Sequence, residues 1–371
     1  MHKVQDIYEF IDSFAPFGSA LNFDNVGLLV GDMQKEVSSV LLALDLNKAV
    51  LKEAIDSEVS LIICHHPIIW EPLRRVEGEG LIGELLRHNI SVIAAHTNLD
   101  IAPGGVNTCL ADVLCLVDKR GLKVELAKPS YTVSVYVPTE HASSLKRAMV
   151  AAGAGELGNY GACSFTSGGV GSFVPLAKAA PYVGELGVET SVNETKLEMF
   201  CKRRALSSVI AAIKSVHPYE EPAFNVFENH GVNEELSLGV VGDLEESMRA
   251  DVFLKHVTRS LQIAGCRYFL PDGGVFKRVA CCGGSGSNLL EDAVRAGADV
   301  FVTGDVGHNV WYEAERYNIG LVDAGHFATE NPVISRLKKR LQEQFKAIKC
   351  KEAGGNVALE RFFAPKEGIT V

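Results

Sequence analysis

The sequence predicts an α/β protein of two similar α/β halves, with a ferredoxin-like α+β domain inserted between them. Three observations lead there. Short apolar runs alternate with helical stretches at both ends of the chain, the pattern of βαβ units around a mainly parallel sheet. Polar residues recur at matching strand ends in the two end segments. Between them, residues at about 125–230 break the rhythm and follow a β-α-β…β-α-β order. The implied division is 1–124 and 231–371 for the halves of one domain, and 125–230 for the insert.

In the first half, Val37–Asp45 is β-branched and apolar and reads as a strand, and Lys48–Asp56 has helical spacing. Val59–Cys64 is a continuous apolar run of the kind buried on both faces of a sheet. A helix near Leu81–His88 leads to a third strand, Ile90–Ala95. In the insert, Ser130–Val137 alternates like a half-exposed strand and His141–Ala152 is helical. Thr166–Ser172 reads as a Gly/Ser-rich loop, followed by strand Lys196–Cys201, helix Ala205–Ser215 and an extended tail, Ala223–Phe227. The last part repeats the first: strand Arg278–Cys282, helix Asn288–Ala296, strand Asp299–Thr303, helix Asn309–Tyr317 and strand Ile319–Asp323. A final helix carries Val333, Ile334, Leu337, Leu341 and Phe345 on one face.

With 371 residues, 47% hydrophobic and 22% charged, the chain has a globular composition and is long enough for two or three cores. Its apolar runs fall far short of the roughly 20 residues that span a bilayer, and the first residues form no secretory h-region, so a cytoplasmic protein without membrane contact is expected. The net charge of −10 disfavours nucleic acid as a partner. The short basic groups Lys202–Arg204 and Lys338–Arg340 fall in helical, solvated stretches. Nine cysteines, none in a CxxC pair, read as reduced core residues, with Cys64 singled out by the two histidines beside it.

The strongest local signal is His65-His66-Pro67 at the end of a buried strand. Adjacent strand residues face opposite ways, but Pro67 stops the ladder and the bend can turn both rings into a cleft. The bland reading is a hydrogen-bonded pair in a βα loop. His96 and Asp100 follow the neighbouring strand, where an acid is often only a helix cap. His326 and Glu330 occupy the matching place in the last part. Pro332 fits only a first helical turn, so Thr329 is expected as N-cap, with Glu330 at the helix start and His326 in the loop before it, not as a helical i,i+4 pair. Glu330 could then serve merely the helix dipole.

Together, His65, His66, Asp100, His326 and Glu330 offer nitrogen and oxygen donors at three strand ends, where open α/β sheets bind ligands. Such a set suits zinc, iron or manganese, and the lack of thiolates argues against a closed structural zinc site. Two divalent metal ions could share a bridging carboxylate. Two carboxylates leave two dications with excess positive charge, which suits hydrolysis of an anionic or nucleotide-like small-molecule substrate. His96, Asp305 and His308 are candidates for support or proton transfer. Gly283–Asn288 could cradle a phosphate, though a tight turn with a serine cap fits it better; His217–Pro222 reads as a rigid loop or subunit contact sooner than a ligand lip.

These residues resemble the dinuclear metal-centre family of the YbgI/YqfO type, also called GTP cyclohydrolase 1 type 2 homologues. The matching stretches are Asp24–Leu28, His65–Pro67, His96–Asp100 with Ala102–Asn107, Thr303–Asp305 and Asp323–Glu330. The resemblance implies that His65, His66, Asp100, His326 and Glu330 are the metal ligands. It implies that the insert is a PII/CutA-like domain, including the His217–Phe224 stretch, and that the chain forms a toroidal homohexamer with inward-facing metal sites. A metal-dependent hydrolase follows, with GTP ring-opening as the named candidate. The alternative is a non-catalytic regulatory or metallochaperone hexamer whose insert senses a small molecule; an interaction protein is a weaker third reading. Two departures stand out. Phe23 replaces a common Trp, an exchange expected to matter only for packing, and His308 does not align securely with the family's nearby His.

Overall fold

The computed structural model describes residues 2–359. In chain order the elements begin with β1 (His2–Lys3), α1 (Val4–Phe14), β2 (Gly27–Val30), β3 (Glu36–Val37), β4 (Ser39–Ala43), α2 (Lys48–Asp56), β5 (Leu61–Cys64), α3 (Leu81–Arg87), β6 (Ser91–Ala94), α4 (Thr97–Asp100) and α5 (Val106–Val113). There follow β7 (Val117–Pro138), α6 (Ala142–Ala151), β8 (Ser164–Phe173), β9 (Thr190–Cys201), α7 (Leu206–Val216) and β10 (Phe224–Arg249). The last are α8 (Ala250–Ser260), β11 (Arg267–Phe269), β12 (Val275–Cys281), α9 (Leu290–Arg295), β13 (Val300–Thr303), α10 (His308–Tyr317), β14 (Gly320–Asp323), α11 (His326–Glu330), α12 (Pro332–Gln344) and β15 (Lys349–Glu352). The described residues divide into two compact units, residues 2–125 with 236–359, and residues 126–235.

The first unit holds two sheets of matching design. One runs β15-β4-β5-β6-β2, with β4, β5 and β6 parallel and β2 antiparallel to β6. The other runs β11-β14-β13-β12 with the end of β10, again with three parallel central strands and an antiparallel strand, β11, beside β14. The chain order α1-β2-β4-α2-β5-α3-β6-α4 recurs as α8-β11-β12-α9-β13-α10-β14-α11. The sheets are not identical at their other edge, where β15 adds parallel to β4 but β10 adds antiparallel to β12.

Continuous apolar runs become central strands because both faces of each sheet are covered. Leu61, Ile62, Ile63 and Cys64 are all buried, with Leu61 and Ile63 packing toward α1 and α12 and Ile62 toward α2 and α3. Each such side chain contributes roughly 1.5–3 kcal/mol when fully buried. Val300–Val302 alternate between two cores in the same way. Local signals set the helix starts. Asn47 accepts from Ala49 N and Val50 N to cap α2, and Pro332 takes the first turn of α12, where its missing N–H costs nothing. Val333, Ile334, Leu337 and Leu341 are buried as the amphipathic pattern requires.

The second unit has the order β-α-β-β-α-β, drawing on β7, α6, β8, β9, α7 and β10. Its core gathers Val133, Val135, Leu145, Met149, Leu197, Val209 and Ile213. The expected Gly/Ser-rich loop at Thr166–Ser172 is instead the middle of β8, antiparallel to β9 from Ser164↔Met199 to Phe173↔Thr190. Glycine and serine have poor strand propensity, but β9 supplies the backbone partners, and a mostly exposed strand needs little side-chain packing. His217 and Tyr219 form a rigid corner: His217 Nε2 meets Tyr136 O at 2.9 Å, Tyr219 N donates to His217 Nδ1, and Tyr219 OH donates to Glu194 at 2.9 Å.

Among the described residues the structure shows no disulfide. Cys64, Cys109, Cys201, Cys281 and Cys282 are buried, whereas Cys115 is exposed, so not all are core residues. No helix among the described residues is long and apolar enough to cross a membrane.

Candidate metal centre

His65 and His66 follow β5 directly, and their backbone N–H groups turn toward Leu44 O at 3.1 and 3.0 Å. That bend brings both rings to one side, with centroids 5.0 Å apart. Asp100 closes the one-turn α4 after β6. His326 and Glu330 bound α11 after β14, so they do share a helix, and their side chains approach at i,i+4 with Nε2 3.1 Å from Oε2. This corrects the expected N-cap at Thr329. Its hydroxyl is within bonding distance of Gly325 O and His326 O and accepts from Gly284 N. Pro332 interrupts the helical run only after Glu330, by starting α12.

All five residues converge. His65 Nε2 is 3.5 Å from Asp100 Oδ1 and 3.8 Å from Glu330 Oε2. His66 Nε2 is 3.1 Å from Glu330 Oε2 and 3.2 Å from His326 Nε2. Among the described residues, three groupings could each hold a cation: His65, Asp100 and Glu330; His66, His326 and Glu330; and His65, His66 and His96. Glu330 belongs to two of them.

The other ring nitrogen of each histidine is already engaged. Nδ1 of His65 meets Ala95 O at 2.8 Å, that of His66 meets Asp45 at 2.7 Å, and that of His326 meets Asp305 at 2.6 Å. His96 Nδ1 meets Asp24 at 2.9 Å. A carbonyl or carboxylate fixing Nδ1–H selects the tautomer whose Nε2 lone pair points to the cluster, the usual support of a metal-ligating imidazole. His65 Nε2 is buried without a hydrogen-bond partner, and buried Glu330 Oε2 meets only imidazole nitrogens which, in the tautomer set by Nδ1, face it with lone pairs. Buried polar atoms rarely stay unpartnered without something to bind. The donor set therefore fits a cation.

The charges show the same tension. Burial pushes the His65 pKa down to about 3, keeping that ring neutral. Burial also pulls on His66, but Asp45 and Glu330 outweigh it and raise the value to about 10. Glu330, opposed by burial and helped by Asp305, raises His326 to about 9. Asp100 is pushed well up by burial and by the Glu330 charge. Protons and cations compete for this cluster.

Asp305 takes its supporting place on His326 with a left-handed backbone, φ 51°, and accepts from Ser285 Oγ at 2.6 Å. His96 lies beside His65 and His66, with ring centroids at 5.0 and 5.5 Å. His308 is in none of the three groupings; it starts α10, exposed, against the Tyr312 ring. Its place after a strand made His308 a candidate for support or proton transfer, and the start of α10 at that residue puts it on a solvated turn. Cys64 also stands apart, its buried thiol raised to about 12 by burial and directed at Ile93 O.

Sequence reasoning gave no role to Asp24 and Asp45, the carboxylates on His96 and His66. The signal for Asp45 was its position just after the first central strand, the same strand-end logic that selected the histidines. The Gly283–Gly286 turn has little left to offer a phosphate. Its amides are spent on Asn107 Oδ1, Thr329 Oγ1 and Thr303 Oγ1. Asn107 also donates to Asp100 O, linking that turn to α4.

A cavity of about 580 Å³ opens over His66, His96 and His326, walled by Phe23, Leu46, Ile68, Trp70 and Leu81. Phe23 is 68% exposed, so its side chain is not the packing element expected of it.

Two like α/β arrays whose strand ends meet over a histidine–carboxylate cluster define a mixed α/β protein with a candidate metal centre. The model of the Duf34/NIF3 (NGG1p interacting factor 3) family matches residues 2–353. The chain belongs to that family. It is 38% identical over 328 residues to the GTP cyclohydrolase 1 type 2 homolog of Bacillus subtilis, covering 87% of this chain and 88% of the relative. Among solved structures it resembles a Bacillus cereus protein related to NIF3, with a TM-score of 0.82 at 33% identity, covering 98% and 99% of the two chains. Staphylococcus aureus protein SA1388 follows, with a TM-score of 0.68 at 30% identity, covering 98% and 99%.

Proposed function

We propose that the protein holds two divalent metal ions, zinc, iron or manganese, through His65, His66, Asp100, His326 and Glu330, and hydrolyses an anionic small molecule in the cavity above them. The observation that carries this reading is the convergence of three imidazole Nε2 atoms and two carboxylates, each His65, His66 and His326 ring fixed from behind through Nδ1. Two dications bound there would supply Lewis-acid activation of water and of a substrate oxygen. Glu330, common to two groupings, would be shared between them. His96, held by Asp24 beside the cluster, can accept or return a proton at Nε2. The open cavity favours turnover over a purely structural ion, since catalytic sites keep a face accessible.

The proposal extends to the assembly and the second unit, as a cytoplasmic toroidal homohexamer with a PII/CutA-like insert. The β-α-β-β-α-β order of residues 126–235 supports the latter. Elemental analysis of protein purified without chelators should give about two metals per chain, with loss in His65→Ala and Glu330→Gln. The relatives' name makes GTP the first compound to assay, and turnover should vanish with Glu330→Gln. A folded wild-type chain without metal would defeat the reading. Light scattering tests the hexamer.

A further inference from the structure

The cavity has an unusual wall for a site meant to take a polyanion. Among the described residues, none that lines it is Lys or Arg. Its polar floor is the histidine cluster with Asp45, and the rest is aliphatic or aromatic. Two large aromatics at this wall stay in water: Phe23 is 68% and Trp70 50% exposed.

Their exposure is built in, because the loops that carry them are tied down. Asp24 accepts from Thr97 N at 2.9 Å and bonds His96, and Asn25 Nδ2 donates to Ile69 O at 2.7 Å. The last bond joins the Phe23 loop to the Trp70 loop. Trp70 also sets its ring against His96, with centroids 5.3 Å apart and nearly perpendicular planes. These bonds fix the two loops beside the cavity, so the apolar surface of both rings is presented there for something else to cover.

Resting on the metal-centre reading above, we propose that the cavity selects a compact substrate bearing a flat aromatic or heteroaromatic ring and a single carboxylate- or amide-type group. Phe23 and Trp70 bind the ring, and the polar group reaches the histidine–carboxylate floor. Ring contacts suit flat π-faces and tolerate heteroatoms. A triphosphate would carry more negative charge than a floor of two dications and two carboxylates can balance, with no basic side chain on the walls to take the remainder.

Calorimetric titration of the zinc-loaded full-length protein tests this, with nicotinate and benzoate as probes, acetate as the ringless control and GTP as the polyphosphate control. Zinc content is measured on the same samples. Nicotinate and benzoate should bind at least about tenfold more tightly than acetate, a difference within reach of one ring contact, and more tightly than GTP, whose triphosphate charge the walls leave unbalanced. Phe23→Ala and Trp70→Ala should each remove most of that preference without changing zinc content, and Trp70→Phe should retain it. Equal binding of acetate and benzoate, tighter binding of GTP, or variants that alter only the oligomeric state would overturn the proposal. Failure to load zinc in wild type would instead overturn the metal-centre reading.

Discussion

Gly284→Ala puts the tightest part of the site under a calculable load. Gly284 has φ +62°, and a Cβ there would lie 2.1 Å from Glu330 Oε1 and 3.2 Å from His326 Cε1. The backbone cannot step aside. Gly284 N donates to Thr329 Oγ1 at 3.0 Å, while its carbonyl accepts from Gly304 N at 2.9 Å and Thr303 Oγ1 at 3.1 Å. The left-handed conformation alone costs an alanine about 1–2 kcal/mol. Glu330 must also swing off its position between the histidines. The expected outcome is a loss of about 10–100-fold in metal affinity, the scale of a displaced support. The metal-free protein should melt about 5 °C lower, at roughly 2–4 °C per kcal/mol for a unit of this size. Competition with a chromophoric chelator and thermal denaturation measure both. Gly307→Ala is the control: nothing lies within 4 Å of its Cβ, and its φ of −69° suits any residue. Wild-type affinity and melting in Gly284→Ala would refute the claim that this glycine sets the carboxylate.

Other perturbations separate support from ligation. Asp45→Asn should weaken metal binding roughly tenfold, because the amide can present the wrong group to His66 Nδ1 while leaving the fold intact; full retention of affinity would count against the tautomer argument. Acid should reveal Asp24. Its burial opposes ionisation, but bonds from His96 and Thr97 prevail and hold it at about 2, below its ordinary 3.8. Its stabilisation is therefore complete above about pH 4 and lost as pH falls through about 2. The melting temperatures of wild type and Asp24→Asn should differ at neutral pH and converge between pH 4 and 2; a gap constant with pH would refute this.

Legibility in the sequence followed physical period. Apolar runs such as Leu61–Cys64 and Val300–Val302 announced central strands because burial on both faces leaves no alternative pattern. The five candidate donors were visible because strand ends concentrate ligands in this architecture. Side-chain direction was not legible. Asp24 and Asp45 look like ordinary loop acids until His96 and His66 arrive from elsewhere in the chain. β8 was hidden because its strand character comes from β9 and not from its own glycines. The Thr329 cap failed because Pro332 marks a helix start without saying that another helix ends just before it. Phe23 and Trp70 were unreadable as a pair, since only folding brings their loops together through Asn25.

The repeated topology raises a question that one comparison can answer. His96 with Asp100 and His326 with Glu330 follow corresponding strands, and each histidine has an aspartate on Nδ1, Asp24 in one case and Asp305 in the other. Symmetry alone would make His96 a ligand like His326. The charges argue otherwise. Of the groupings that contain Glu330, one joins it to two histidines and the other joins it and Asp100 to one histidine, whereas the grouping with His96 holds three imidazoles and no anion to offset a dication. His66 and His326 also sit 3.1 Å from Glu330, close enough to share its charge. Asp305→Asn should therefore weaken metal binding about 10–100-fold, while Asp24→Asn keeps metal content and instead lowers stability by about 2 kcal/mol through lost bonds to a charged acceptor. Metal loss of equal size in the two variants would mean that the halves contribute symmetrically and that His96 ligates. The expected asymmetry would leave His96 free to carry protons at the floor of the cavity.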